Sequence, residues 1–176
     1  ATASFGHGIT TTLIQLVKAY SIIANGGYNI DPTLIKNKNR NKREKILNDD
    51  VSKKILPILR KIVSTKNGTA SLANVTGFDV GGKTGTAQKS INGVYTNKKI
   101  NSFLSVFPTS KPKFVMAVML DEPKISKDYI YHYRDGSNIK YKGTPFNTAG
   151  WTAVEVTGQI LDKIGPILAT KYSEVN

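Results

Sequence analysis

The chain has 176 residues, 39% hydrophobic and 9% aromatic, which is one domain's worth of sequence with enough apolar surface to fold and excludes wholesale disorder. Its formal charge is +13, and with no cysteine and two histidines it has no disulfide scaffold, no thiolate zinc site, no cysteine nucleophile and little for a metal cluster. No run of 18 apolar residues is present to span a membrane, and the opening Ala1-Thr2-Ala3-Ser4, without initiator Met or signal-peptide layout, reads as a piece cut from a longer protein.

From Thr12 the apolar residues Leu13, Leu16, Val17, Tyr20 and Ala24 recur at three and four, and Thr12 with Gln15 makes a capping box. A helix is predicted that ends at Asn25-Gly26-Gly27, where the chain tolerates the left-handed conformation. Tyr28 to Ile35, with Asp31-Pro32, is extended and turned. Lys36 to Lys45 then gathers Lys36, Lys38, Arg40, Lys42, Arg43 and Lys45 around one acid, Glu44. A solvated loop is the plain reading and a polyanion contact the sharper one. With 21 Lys to 4 Arg in the chain and no aromatic interleaved in the run, solubility explains the charge better than phosphate binding, and no nucleic-acid partner is expected.

Asn48 or Asp49 caps a second helix whose buried stripe is Val51, Ile55, Leu59, Ile62 and Val63. Pro57 removes a donor and clashes one turn back, which predicts a kink or break there, with the helix ending at Asn67-Gly68. Three β-rich segments follow at 78–88, 100–107 and 113–121, separated by Asn92-Gly93 and by Thr109-Ser110-Lys111-Pro112, and connections this short imply an antiparallel meander. Tyr129, Tyr131 and Tyr133 alternate with Ile130, His132 and Arg134 before Asp135-Gly136, then Ile139 and Tyr141. That is a hairpin around a two-residue turn, expected to project from the body, with its tyrosines half-buried or anchoring a partner. A last helix from about Thr152 to Leu168 shows Ala153, Ile160, Leu161, Ile164 and Leu168 on one side, with a bend predicted at Gly165-Pro166. The fold class is α+β, an antiparallel sheet flanked by helices. Residues 1–77 form a helical part with the basic loop 36–45, 78–121 the meander, 124–147 the hairpin and 150–168 the terminal helix.

The chemistry concentrates in Gly81-Gly82-Lys83-Thr84-Gly85-Thr86-Ala87-Gln88. A strand that carries a cation, two hydroxyls and a glycine in succession suits an extended peptide ending in a carboxylate. Lys83 supplies the charge. Thr84 and Thr86 share a face because alternate side chains of a strand do, and both hydroxyls can donate to a carboxylate. Gly85 points away between them and lets neighbouring backbone approach, while a ligand adds to the strand edge through main-chain hydrogen bonds. The Thr86 amide is a candidate oxyanion donor, a group whose loss typically costs about 3 kcal/mol of transition-state stabilisation. Lys-Thr-Gly by itself is a weak signal, since an ordinary exposed strand carries these residues too.

The wider pattern is more specific. Gly81 to Gln88, preceded by Gly68-Thr69-Ala70 and followed by Asn101-Ser102-Phe103, Phe107-Pro108 and Leu120-Asp121-Glu122-Pro123, resembles the C-terminal part of the transpeptidase domain of a class B penicillin-binding protein. Ser4-Phe5-Gly6-His7-Gly8-Ile9, leading to Leu13-Ile14-Gln15-Leu16, resembles the family's segment between its second and third motifs. The Ser-Phe-Gly-x-Gly start and Asp-Glu-Pro look more like the septal, division-type members than the elongation type. The resemblance implies a penicillin-binding/serine β-lactamase-like fold and a D,D-transpeptidase. In that reaction a serine attacks the penultimate D-Ala carbonyl of a peptidoglycan stem peptide, terminal D-Ala leaves, the acyl group passes to a neighbouring amine, and β-lactams mimic the donor. It further implies that Lys83 orients the middle motif's serine and compensates the carboxylate, that Thr84 and Thr86 bind the carboxylate beside Gly85, and that the Thr86 amide completes the oxyanion hole. The implied location is the bacterial inner membrane with the domain facing the periplasm, the implied partners are stem peptides, β-lactams and division proteins, and no cofactor or metal is implied.

The family's Ser-x-x-Lys and Ser-x-Asn precede Lys-Thr-Gly, yet upstream of Lys83 this sequence has neither. Ser110-Lys111-Pro112-Lys113 and Ser137-Asn138-Ile139-Lys140 match the letters of the first motif downstream, in turns that deny the helical stacking of lysine on serine. Ser4 and Ser71 have no base nearby in sequence. The chain is therefore expected to hold one wall of an active site and to be inactive alone. The family's Gly-Gly-x-x-Ala-Ala-Pro stretch is here Gly150-Trp151-Thr152-Ala153-Val154-Glu155, without the proline, and the tyrosine hairpin reads as an insertion. With upstream strands absent, 113–121 is expected to be an open edge through which the fragment dimerises. A D,D-carboxypeptidase, a serine β-lactamase or a β-lactam sensor shares the lysine motif, and a basic polyanion-binding module is the alternative of a different class.

Overall fold

A computed structural model of the chain describes residues 2–5, 8–35, 44–143 and 146–173. The basic run apart from Glu44 and Lys45, and His7, lie outside the described residues. Helix α1 (Leu13–Ala24) starts at Thr12, whose hydroxyl accepts from the Gln15 amide while the Gln15 side chain accepts from the Thr12 amide, so the capping box forms. Asn25 caps the other end, and Gly26 and Gly27 follow at φ +83° and +93°. Lys45 returns beside α1 through a bridge to Tyr28, over whose ring its ammonium lies, and pairs with Asp49 at 2.7 Å.

Helix α2 (Asp49–Ser64) continues through Pro57, so of the expected kink or break the break does not occur, and it stops at Thr65, short of Asn67-Gly68. Pro57 and Lys53, the residue one turn before it, are both exposed, so water can serve the carbonyl that Pro57 leaves without a donor. The same holds for α3 (Ala153–Ser173), which passes Pro166 without interruption and extends beyond the predicted Leu168. Gly165 on that helix is a contact residue, because a Cβ there would stand 2.4 Å from the Phe78 ring.

Strands β1 (Gly81–Ile91), β2 (Val94–Phe107) and β3 (Phe114–Asp121) form the antiparallel meander in the order β1-β2-β3. The first strand begins three residues later than predicted, because Phe78 and Asp79 belong to the turn that feeds it. Asp79, at φ +46°, accepts from Thr109 and from the Ser110 amide and pairs with Arg60 of α2, which binds the start of β1 to the turn after β2. The other two strands are close to expectation, except that β2 starts at Val94. Val94, Tyr95 and Lys99 pair with β1, whereas the β2–β3 register starts only at Ile100, so the β1–β2 ribbon runs on past β3 as an arm that turns at Asn92-Gly93. Lys89, at the β1 irregularity, ties the arm's base to Asp121 and Glu122, each at 2.9 Å.

Paired residues share a face, so Thr84, Thr86, Asn101, Phe103, Met116 and Val118 look one way and Lys83, Leu104 and Ala117 the other. The first face meets α3 and the turn Ser71–Ala73, and the core of Val63, Leu72, Val80, Phe103, Val154 and Leu161 lies there. The second face is covered by α1 and α2, the latter crossing under Gly81. This is the expected α+β arrangement of a sheet between helices.

Short strands β4 (Ile130–His132) and β5 (Lys140–Lys142) make the hairpin, joined by seven residues rather than a two-residue turn. It does not project from the body. Tyr131 is buried and meets Trp151 edge-on at 5.0 Å, Tyr141 lies 5.1 Å from the same indole, and Arg134 forks onto the buried Glu155 of α3 at 2.9 and 3.0 Å. Among the described residues no helix is long and apolar enough to cross a membrane.

Candidate functional site

Where the first face of β1 runs beyond the core it opens into a cleft of about 350 Å³, lined among others by Thr69, Ser71, Thr84, Thr86, Tyr133 and Trp151. The two threonines of the strand motif reach it together, as their alternation requires. Thr84 Oγ1 is 3.2 Å from Thr69 Oγ1, so the Gly68-Thr69-Ala70 segment forms the facing wall. Thr86 Oγ1 accepts the Ala149 amide at 3.0 Å.

Lys83 leaves β1 on the opposite face but folds over the strand edge, where its ammonium donates to Thr84 O at 2.8 Å and approaches Thr84 Oγ1 at 3.5 Å. Thr84 O is thus on the open side of β1, and the alternation of backbone groups along a strand turns the Thr86 amide to the same side. Cation, two hydroxyls and an outward amide therefore converge on one edge. Gly85 departs from its expected role. The nearest atom to a Cβ there is Ser102 Oγ at 2.7 Å, a side chain, and among the described residues no backbone across the strand pair lies within 4 Å of it. The close approaches belong to Gly81, over α2, and Gly82, over the Phe103 ring and Leu104 O.

Three lining residues had weaker signals in the sequence. Ser71 stands in the cleft, and among the described residues no base is hydrogen-bonded to its hydroxyl. Tyr133 reaches the cleft because Arg134 beside it is anchored to Glu155, Leu72 O and His132 O. Trp151 follows Gly150, whose Cβ direction is blocked by Thr69 O at 2.6 Å, so only glycine lets this segment close on the Thr69 wall. The Ser-x-x-Lys look-alikes do not join the site. Ser110 is held in the Asp79 turn, and Ser137 donates to Asp135 in the hairpin loop.

The electrostatics of the anchor are set by Glu155. Burial works to raise its pKa, but hydrogen bonds from Arg134, Gln159 and Tyr129 and the guanidinium charge outweigh that, and the carboxyl sits below its ordinary value. Tyr129, partly buried and donating to Glu155 at 3.0 Å, is pushed up to about 12.

An open-edged strand with a cation and two hydroxyls beside a cleft is chemically suited to take an extended chain along its edge and an anionic group at its hydroxyls. Residues 1–139 match the family described as Penicillin binding protein transpeptidase domain, and the chain belongs to that family. It is 34% identical over 130 residues to the probable peptidoglycan D,D-transpeptidase PenA of Neisseria flavescens, covering 73% of this chain and 32% of that protein. To the probable peptidoglycan D,D-transpeptidase FtsI of Caulobacter vibrioides it is 31% identical over 182 residues, covering 97% and 28%. The transpeptidase domain of penicillin-binding protein 3 from Burkholderia pseudomallei superposes with a TM-score of 0.73 at 27% identity, over 97% of this chain and 46% of that one. The chain thus spans about a third or less of the length of these curated relatives.

Proposed function

We propose that this chain supplies the lysine-motif wall of a division-type peptidoglycan D,D-transpeptidase, with the serine that becomes acylated on a segment upstream of Lys83. The observation that carries the reading is the convergence of the Thr84 and Thr86 hydroxyls and the Lys83 ammonium on the open edge of β1. The stem peptide lies along that edge. Its carboxylate accepts from both threonines and is balanced by Lys83, and the penultimate carbonyl oxygen, as it becomes an oxyanion, accepts from the Thr86 amide. The serine oxygen bonds to that carbonyl carbon, the amide bond to terminal D-Ala breaks, and D-Ala leaves with a proton on its nitrogen. An amine of a neighbouring strand then takes the acyl group. A β-lactam enters the same way, but its ring-opened leaving group stays attached.

Relatives named as peptidoglycan D,D-transpeptidases support this reading over a carboxypeptidase, a β-lactamase or a sensor. The domain then works at the inner membrane facing the periplasm, alongside division proteins, and residues 1–176 are the C-terminal part of one transpeptidase domain. Among the described residues no strand pairs with the outer edge of β3, which supports self-association of the isolated chain. Intact mass after incubation with a penicillin tests the reading. An adduct is expected on the longer protein carrying the upstream serine and not on this chain; an adduct on this chain, or on neither, overturns it.

A further inference from the structure

Asn101 lies directly across from Thr86 on β2, on the same face, and is fully buried. Its Nδ2 donates to Asn147 Oδ1 at 2.8 Å and to Thr152 Oγ1 at 2.9 Å. Those two residues bracket the segment 147–152. Thr152 Oγ1 donates to Thr148 O at 2.9 Å, and Asn147 Nδ2 donates to Pro123 O at 2.7 Å, so one buried amide fixes both ends of the segment. In the middle of it the Ala149 amide donates to Thr86 Oγ1.

A hydroxyl has one proton to give. With Ala149 N–H on its oxygen, the Thr86 proton is turned away from that donor and kept for another acceptor, such as a carboxylate oxygen in the cleft that Thr86 lines. Without that amide the hydroxyl turns freely and presents a lone pair as readily as a proton. Asn101 performs this at a cost, because among the described residues no donor reaches its buried Oδ1, which loses its water without gaining a partner.

We propose that Asn101 is a positioning residue that orients the Thr86 hydroxyl, through residues 147–152 and the Ala149 amide, to receive the ligand's carboxylate. This rests on the reading of Thr86 as a carboxylate-binding group. Two measurements test it, and the first needs no catalysis. In Asn101→Leu the Ala149 amide is expected to exchange with solvent about tenfold faster or more, while the Phe103 and Leu161 amides exchange as in wild type. Thr86→Val should release the same amide, and the double variant should release it no further. The second uses the longer, serine-bearing protein. Acylation by penicillin should fall about tenfold in Asn101→Leu, but acylation by the same penicillin with its carboxylate converted to a neutral amide should not change, and combination with Thr86→Val should add no further loss.

Should Asn101→Leu fail to fold, Thr152→Val removes its acceptor instead and should reproduce the pattern, with Thr152→Ser restoring wild-type behaviour. Unchanged exchange at Ala149, or an equal loss with both donors that adds to Thr86→Val, overturns the assignment. A longer wild-type protein that takes no penicillin overturns the functional reading alone, and the exchange measurement still decides the role of Asn101.

Discussion

A Cβ on Gly82 would stand 2.5 Å from both the Phe103 ring and Leu104 O, and the buried ring has nowhere to retreat. Gly82→Ala is therefore expected to destabilise the chain by about 2 kcal/mol, read from the denaturant midpoint, through overpacking rather than through any change of backbone preference. Gly85→Ala meets only a rotatable hydroxyl and should cost about 1 kcal/mol or less. At this scale the sequence was partly legible. The pairing of Thr84 with Thr86 on one face follows from the two-residue period of any strand. The partner that fixes Thr86 does not, since Ala149 contributes a backbone amide, a group almost every residue carries, from 63 residues away. Gly85 was misread for a related reason. Which glycine of a run is sterically required depends on what lies across the strand pair, and register is a tertiary fact.

Between elements, the decisive junction is the hairpin on α3. Arg134 and Glu155 are 11% and 5% exposed and share two hydrogen bonds, so removing one partner strands a buried charge. Glu155→Gln is expected to cost about 3 kcal/mol at pH 7, measured by thermal or denaturant unfolding. Because the folded-state pKa of Glu155 is depressed, its stabilisation is present above the ordinary glutamate value of about 4.3 and is lost as pH falls through the lower folded value. The gap between wild type and variant should hold from pH 7 to 5 and close below that; a gap that widens in acid would refute the assignment. The alternation of tyrosines made a hairpin legible, but its docking was not, because a salt bridge spanning 21 residues leaves no local pattern. Pro57 misled in the other direction, towards a break that the helix does not make. Sequence records the missing donor, not the solvent that replaces it.

The whole molecule is lopsided. Its open β1 edge borders the cleft, whereas among the described residues β3 has neither a strand beyond it nor that cleft beside it, and Ile14 of α1 and Met119 of β3 stand 56% and 49% exposed. Light scattering at rising concentration should show dimers, and a chain that stays monomeric at high concentration would count against edge pairing. Class and layering were readable from the order of periodicities, helices, then three strands, then a helix, because each period reports one buried face. What covers the outer faces was not, since exposed and interfacial apolar residues look alike in a sequence. The β1–β2 arm offers something practical. Its tip, Asn92-Gly93, has both residues at positive φ, a Cβ on Gly93 would touch nothing, and six residues of strand place it about 20 Å from Thr86. A fluorophore or epitope spliced into that turn would ride clear of the cleft, giving a way to track the protein in living cells with the residues that line the cleft left in place.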